Sequence, residues 1–441
     1  MNFYINSSSD SYEYTTSTST PSAIINSISL NHFKNNKQNY VDINSISGFS
    51  GSNKWAGGVS GPNDKIYCIP RDSSFVLIID PSTNSVDTTS ISGLYGGNKW
   101  SGGVLAPNGK IYCIPRDSQS VLIIDPESNT ADSTTISGLT GTNKYGGGVL
   151  GSDGKIYCLP RNSNNVLIID PSTNMIDTTS ITGLSGDWIG GVLARNGKIY
   201  GIPLNTTSVL ILNPSSPLVD ISNLYGINIK KASYDNANKK LICGSSLLLG
   251  LKIGDNIIIK TETASYTGYI QSLSNTYIKF FYPLGNDLIE GSICKIEKTK
   301  KADITSITDL EGTNKWSGGI LFPNGKICGI PYNSKNLLII DPDTNIVDIS
   351  VETQEGDLKW NGAVYGKNGR IYGIPFNHSS VLIINPMTLT YPIINITNIT
   401  GLTGNNKYGG GVLGSNGIIY GIPYNSPNVL QIKNSTPTLV F

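Results

Sequence analysis

The chain has 441 residues, a formal net charge of +1 and a charged fraction of only 14%. This balance argues against duplex nucleic acid as a partner, because domains that bind it are usually strongly basic. No apolar run approaches the ~18 residues that span a bilayer, and the N-terminus has neither a basic segment nor an apolar core, so we expect no membrane span, no signal peptide and synthesis in the cytoplasm.

Residues 1–39 form a predicted N-terminal tail. Its segment from Ser7 to Ser22 is rich in Ser and Thr and poor in apolar side chains, a composition typical of chains that are disordered in isolation. The segment from Tyr40 to Ile46 matches outer strands that recur later in the chain. We predict that it completes the last repeat and closes a ring, which would remove exposed sheet edges.

A phrase of the type Asn-Lys-Trp-Ser-Gly-Gly-Val, followed by Gly-Lys-Ile-Tyr-Cys-Ile-Pro and Val-Leu-Ile-Ile-Asp-Pro, recurs about every 45 residues. In the second copy, three apolar segments separated by turns read as strands: Gly102 to Ala106, Ile111 to Pro115 and Val121 to Ile124. Ala131 to Ile136 alternates weakly, as a half-exposed outer strand would. Four antiparallel strands per repeat of this length predict an all-β fold, and specifically a β-propeller.

Seven copies are clear, and each begins at an aromatic residue: Trp55, Trp100, Tyr145, Trp188, Trp316, Trp360 and Tyr408. Residues 231–244 match the first two strands of a degenerate eighth copy. Val219 to Ser222 and Ala302 to Ile307 each resemble an outer strand, so counting outer strands favours eight blades, with seven as the alternative. Residues 249–301 are predicted to be a small inserted β-barrel that divides the propeller into 40–248 and 302–441.

The cysteines and histidines offer little chemistry. Of six cysteines, four share one repeat position that is glycine in other copies, which predicts free, buried, small side chains: Cys68, Cys113, Cys158 and Cys243. Only two histidines exist, His32 and His378. We found no metal-spaced Cys/His cluster, nucleophile elbow or phosphate loop, so the sequence predicts no catalytic residue, metal or cofactor.

Two repeated positions are predicted to share one face of the propeller, because the loops that carry them lie at the same end of the strands. One position is a lysine before the aromatic residue, represented by Lys54, Lys99, Lys144 and Lys315. The other follows the proline of the second strand and is occupied by Arg71, Arg116, Arg161, Leu204, Tyr332, Phe376 and Tyr424. Arginine binds carboxylates through two bonds and aromatic rings offer flat apolar area, so this face is a candidate surface for an acidic protein segment or a glycan. The aromatic residue after each lysine is expected to pack between blades instead.

The segment from Lys110 to Asn129 resembles the YVTN-type β-propeller repeat, as do Lys65 to Asn84 and Lys155 to Asn174. The resemblance implies a propeller of the kind found in surface-layer and other structural or binding proteins. The Asn-, Ile- and Lys-rich composition is typical of AT-rich genomes, such as those of amoebal giant viruses and their hosts. The streptogramin lyases are a related propeller family that uses a histidine and acidic residues at the top of the ring, where this chain would offer only His378.

Three functional hypotheses follow. The leading one is a non-enzymatic structural or interaction protein that assembles with copies of itself in a virion or a surface layer, with the tail adding a strand to a neighbour. The alternative is a glycan- or peptide-binding module that uses the face described above. The third is a lyase-like enzyme with its site around His378.

Overall fold

The computed structural model describes residues 40–214, 301–386 and 402–433, together with the backbone of short strands in the intervals between them. Residues 1–39 and the predicted outer strand from Val219 to Ser222 lie outside the described residues. Within the described parts, no helix is long and apolar enough to cross a membrane.

The regular elements are short β-strands. The first strands are β1 (Tyr40–Asp42), β2 (Trp55–Ser60), β3 (Ile66–Pro70), β4 (Leu77–Asp80), β5 (Ser85–Asp87), β6 (Trp100–Leu105), β7 (Ile111–Pro115), β8 (Leu122–Asp125), β9 (Thr130–Asp132), β10 (Tyr145–Leu150), β11 (Ile156–Pro160), β12 (Leu167–Asp170), β13 (Met175–Asp177), β14 (Trp188–Leu193), β15 (Ile199–Pro203) and β16 (Leu210–Asn213). They are followed by β17 (Ser233–Asp235), β18 (Lys240–Ile242), β19 (Asn256–Thr261), β20 (Ser265–Leu273), β21 (Tyr277–Phe280), β22 (Ile293–Lys298) and β23 (Lys301–Asp303). The last are β24 (Trp316–Leu321), β25 (Ile327–Pro331), β26 (Leu338–Asp341), β27 (Ile346–Asp348), β28 (Trp360–Tyr365), β29 (Ile371–Pro375), β30 (Val381–Asn385), β31 (Ile393–Thr397), β32 (Tyr408–Leu413), β33 (Ile419–Pro423) and β34 (Leu430–Lys433).

Seven four-stranded antiparallel sheets form the blades of a β-propeller. Their sheet orders are β2-β3-β4-β5, β6-β7-β8-β9, β10-β11-β12-β13, β14-β15-β16-β23, β24-β25-β26-β27, β28-β29-β30-β31 and β32-β33-β34-β1. The innermost strands β2, β6, β10, β14, β24, β28 and β32 contact one another in that order, and β32 contacts β2. These contacts close a ring of seven blades.

The prediction of eight blades is therefore wrong, and the alternative of seven is correct. The sequence predicts that the segment that begins at Ala302 belongs to an additional blade. Instead, β23 pairs with β16, with Ile211 opposite Asp303 and Asn213 opposite Lys301. It therefore supplies the outer strand of the fourth blade, and the next inner strand, β24, packs directly beside β14.

The strands between β16 and β23 form one separate sheet. Strands β17 and β18 pair as the sequence predicts. Their sheet continues through β21, β20 and β19 to β22, so the supposed degenerate blade and the inserted strands belong to one six-stranded unit. This unit is inserted between the third and fourth strands of the fourth blade. The closed barrel remains a prediction.

The innermost strands of six blades carry the repeated Gly-Gly of the sequence, and the sixth blade has Gly362-Ala363 there. In the second blade, Trp100 pairs with Pro115 and Gly103 with Cys113, and the register shifts between them. Gly102 lies in this shift with a φ of 78°, a conformation that side chains other than glycine rarely adopt. A Cβ atom on Gly190 would lie 3.0 Å from the Cα atom of Gly318 in the next blade, so the ring centre has no room for a side chain there.

The hydrophobic core lies between neighbouring blades. Trp100 of the second blade, for example, packs with Tyr67 and Ile69 of the first. Within the described residues Cys68, Cys113, Cys158 and Cys328 are buried free thiols, and burial raises the pKa of each. Cys243 lies outside the described residues.

The ring closes as the sequence predicts. Strand β1 pairs antiparallel with β34, with Tyr40 opposite Lys433 and Asp42 opposite Gln431. The Lys433 ammonium lies 3.3 Å from the Asp42 carboxylate, which adds an ion pair to this closure. The last blade therefore combines strands from both ends of the described chain.

Candidate functional site: the central cavity

A cavity of about 540 Å³ opens at the ring centre on one face of the propeller. Every blade contributes the residue that follows the proline of its second strand, so the lining includes Arg71, Arg116, Arg161, Leu204, Tyr332, Phe376 and Tyr424. The walls below are the glycine-rich inner strands, with Ser101, Ser317 and Asn361 as polar groups. The structure thus brings together all seven residues of one predicted position. The described lining contains no Asp, Glu, His or Cys side chain.

The three arginines lie side by side but differ in their partners. Arg71 donates from Nε and Nη2 to Asn98 Oδ1 at 2.9 and 2.6 Å. Arg161 donates to both carboxylate oxygens of Asp187 at 2.8 and 3.2 Å, which neutralises its charge. In both cases the partner belongs to the next blade.

Arg116 has no such partner. Its Nε is buried without a hydrogen bond in the described structure, and so is Oδ1 of Asn143, the residue equivalent to Asn98. Burial and then the charges of Arg71 and Arg161 lower the pKa of Arg116 to about 10, so the guanidinium stays protonated at neutral pH. Arg71, Arg116 and Arg161 form an arginine arc in which only Arg161 is paired with a carboxylate. Only Arg116 has a buried side-chain N–H without a partner.

Aromatic rings form the other side of the cavity. The ring centroids of Tyr332 and Phe376 are 5.6 Å apart, and those of Phe376 and Tyr424 are 5.5 Å apart. The Arg71 guanidinium lies over the Tyr424 ring at 5.1 Å, which joins the aromatic arc to the basic one. Burial raises the pKa of both tyrosine hydroxyls, so they remain neutral at physiological pH. Phe376 and Tyr424 are only 6% and 7% exposed, so little of either ring is open to the cavity.

The lysines of the predicted surface lie elsewhere. Lys54, Lys99, Lys144 and Lys315 are 3–5% exposed. Each Nζ donates to backbone carbonyls, for example from Lys99 to Arg71, Ser73 and Gly96 at 2.9, 2.9 and 2.7 Å. Because their donors point at the loop backbone of their own and the preceding blade, these lysines tie blades together and do not line the cavity.

The repeated aromatic residues pack between blades, as expected. Trp55, Trp188 and Trp360 are fully buried, and each indole N–H donates to a backbone carbonyl. His378 lies against Trp360, with ring centroids 4.6 Å apart, and its Nδ1 accepts the Ser380 N–H. His378 does not line the cavity. Burial lowers its pKa, and the charges of Lys359 and Lys407 lower it further. Across the described residues, no cluster of three His, Cys, Asp or Glu side chains is placed to hold a metal ion.

Sequence reasoning missed the residues that hold the arginines. Asn98 and Asp187 lie in the next blade, 27 and 26 positions further along the chain. The available signal was a difference between copies: the fourth blade has Asp187 before its tryptophan where the other blades have lysine. That change brings a carboxylate to the end of the arginine arc.

No family model and no curated protein matches the sequence. Among solved structures, the chain is similar to a streptogramin B lyase, with 10% identity, a TM-score of 0.51 and coverage of 90% of this chain and 97% of that chain. It is also similar to virginiamycin B lyase from Staphylococcus aureus, in a selenomethionine form at 8% identity and in a catalytically inactive form with quinupristin at 9%. Both have a TM-score of 0.54 and cover 90% of this chain and 100% of the other. At such identities the likeness shows the β-propeller fold.

These comparisons correct the leading hypothesis of a self-assembling structural component. The three solved propellers above are named as lyases, and none of them is named as an assembly protein. The propeller that the YVTN-type resemblance implies is shown, although no family model supports that particular repeat family.

Proposed function

We propose that this protein is a peptide-binding module that takes up a peptide segment in its central cavity and releases it unchanged. One observation carries the proposal: all seven blades direct the same repeat position into one cavity, and that position is basic in three consecutive blades and apolar or aromatic in the other four. A cavity of about 540 Å³ lies within the usual range of ligand sites.

The asymmetry of the cavity favours a peptide over a glycan. A sugar ring stacks on the open face of an aromatic side chain, whereas Phe376 and Tyr424 are almost completely buried. A peptide can place an acidic side chain on the basic side and an apolar one on the other. For acid–base catalysis the described lining offers no carboxylate or imidazole, which supports binding without chemistry.

The test is selection of a random phage-displayed peptide library on the wild-type protein, followed by calorimetry with the enriched peptides. A Ser101→Trp variant would fill the cavity from the innermost strand of the second blade, where the fourth blade already carries the larger Ile189. Ser128→Trp is the matched control, because Ser128 is exposed in the β8–β9 turn on the opposite face.

We expect Ser101→Trp to abolish binding of the selected peptides and Ser128→Trp to leave it unchanged. If no peptide is enriched, or if the selected peptides bind both variants equally, the cavity is not a peptide site.

A further inference from the structure

The three arginines of the cavity occupy equivalent positions but are held differently. Arg71 is fixed by Asn98 and by the Tyr424 ring, and Arg161 is fixed by two bonds to Asp187. By the symmetry of the repeat, Arg116 would bond to Asn143, yet Arg116 Nε and Asn143 Oδ1 are both buried without partners. The guanidinium of Arg116, the middle arginine, therefore receives no side-chain hydrogen-bond acceptor from the next blade.

The electrostatic surroundings of Arg116 favour an anion. Its neighbour Arg71 has no carboxylate partner, its neighbour Arg161 is paired with Asp187, and the described lining contributes no carboxylate to the cavity. The carboxylate of Asp117 raises the pKa of Arg116, but its Oδ1 already accepts the Asn143 N–H at 2.6 Å. Arg116 is half-buried, and an N–H buried without a partner is costly, so an anion that accepts from the guanidinium would lower the free energy of the site.

We propose that the cavity is a carboxylate receptor in which the Arg116 guanidinium binds the carboxylate of an acidic side chain, beside the guanidinium of Arg71. The planar guanidinium matches a planar carboxylate through two parallel bonds. Arg161 is already paired with Asp187, and Arg71 already donates to Asn98, so Arg116 is the one arginine of the three whose donors are left for a carboxylate. The inference rests on the proposed peptide binding, because an acidic peptide is the source of the carboxylate.

The experiment uses calorimetry on the full chain with four probes: an end-blocked tetraglutamate peptide, the matching tetraglutamine peptide, glutarate and inorganic phosphate. We expect tetraglutamate to bind with an affinity that falls with added NaCl, and tetraglutamine to bind at least about tenfold more weakly. Arg116→Gln should weaken tetraglutamate binding by about tenfold or more, the usual contribution of a charge-assisted bond.

Arg370→Gln is the control for net charge, because Arg370 is an exposed arginine outside the cavity lining. Its affinity for tetraglutamate should match that of the wild type. Equal weakening by Arg116→Gln and Arg370→Gln would overturn the receptor, because a general surface charge would then explain binding. Tighter binding of phosphate than of glutarate would overturn the assignment to a carboxylate.

The outcomes separate this inference from the proposed function. If library-selected peptides bind in the cavity but tetraglutamate and tetraglutamine bind alike, peptide binding stands and the carboxylate site is refuted. If glutarate binds as tightly as tetraglutamate and depends on Arg116, the carboxylate site stands and the peptide is refuted as its source.

Discussion

Replacing Lys99 by Met tests whether the buried lysines hold the blades together. The Lys99 ammonium donates to three backbone carbonyls, two of them in the preceding blade. Bonds that involve a charged donor each contribute about 1.5–3 kcal/mol. Burial of the ammonium opposes these bonds. It lowers the pKa of Lys99 from 10.5 to about 8, and this shift corresponds to roughly 3 kcal/mol at 1.36 kcal/mol per pKa unit.

The three bonds outweigh this burial cost, and methionine leaves the Ser73 and Gly96 carbonyls without the donor. We therefore expect Lys99→Met to lower the free energy of unfolding by about 2 kcal/mol. Urea unfolding can be followed by tryptophan fluorescence, because all five tryptophans are buried in the blades.

Lys110→Met is the matched control for this experiment. Lys110 makes one ion pair of 3.3 Å with Asp125, and its side chain is 45% exposed, so its loss should cost less than about 0.5 kcal/mol. If Lys99→Met is as stable as the wild type or more so, desolvation outweighs the carbonyl bonds. The assignment of these lysines as ties between blades would then be incorrect.

Two further predictions concern the ring centre and the turns at the outer strands. In thermal unfolding, Gly190→Ala should destabilise the protein more than Gly362→Ala. Both glycines have a positive φ, but only the Cβ atom added at Gly190 would contact the backbone of the next blade, at 3.0 Å. Equal effects would show that backbone strain alone decides the cost. Asp132 accepts bonds from Thr135 and Thr134, which lower its pKa from 3.8 to about 2. The stabilisation of the fold by these bonds to the Asp132 carboxylate is complete above pH 3.8 and is lost as the pH falls through about 2. The urea midpoints of the wild type and Asp132→Asn should therefore converge over this pH range. A constant difference between the two midpoints would show that the Asp132 carboxylate does not stabilise the turn.

The strands of a single blade could be predicted because their signals are local. The turn around Asn108 and Gly109 and the prolines that end the second strands mark boundaries within a few residues of each strand. The blade count could not be predicted in the same way, because β23 pairs with a strand that precedes it by about 90 residues of intervening chain. A sequence pattern identifies an outer strand but does not specify the sheet to which it pairs.

The sequence predicted which residues share the cavity face, but it did not predict the hydrogen-bond partners of each. Position in the repeat placed Arg71, Arg116 and Arg161 on one face, since equivalent residues of successive blades lie side by side. Their different partners depend on the side chain that the next blade offers, and this is a tertiary property. The sequence also contains a pattern that indicates the burial of the lysines. Each of them lies three residues after a glycine, as Lys54 follows Gly51 and Lys99 follows Gly96. The carbonyl of that glycine accepts a hydrogen bond from the lysine Nζ.

The pairing of β1 with β34 has a consequence for biosynthesis. During translation β1 emerges before any blade, while its partner emerges only after the whole ring has been made. Until then the last blade lacks its outer strand, and a product truncated before Leu430 would leave β1 and β33 with unpaired edges. The closure therefore distinguishes chains that contain β34 from chains that end before it, because only the former can pair these aggregation-prone edges.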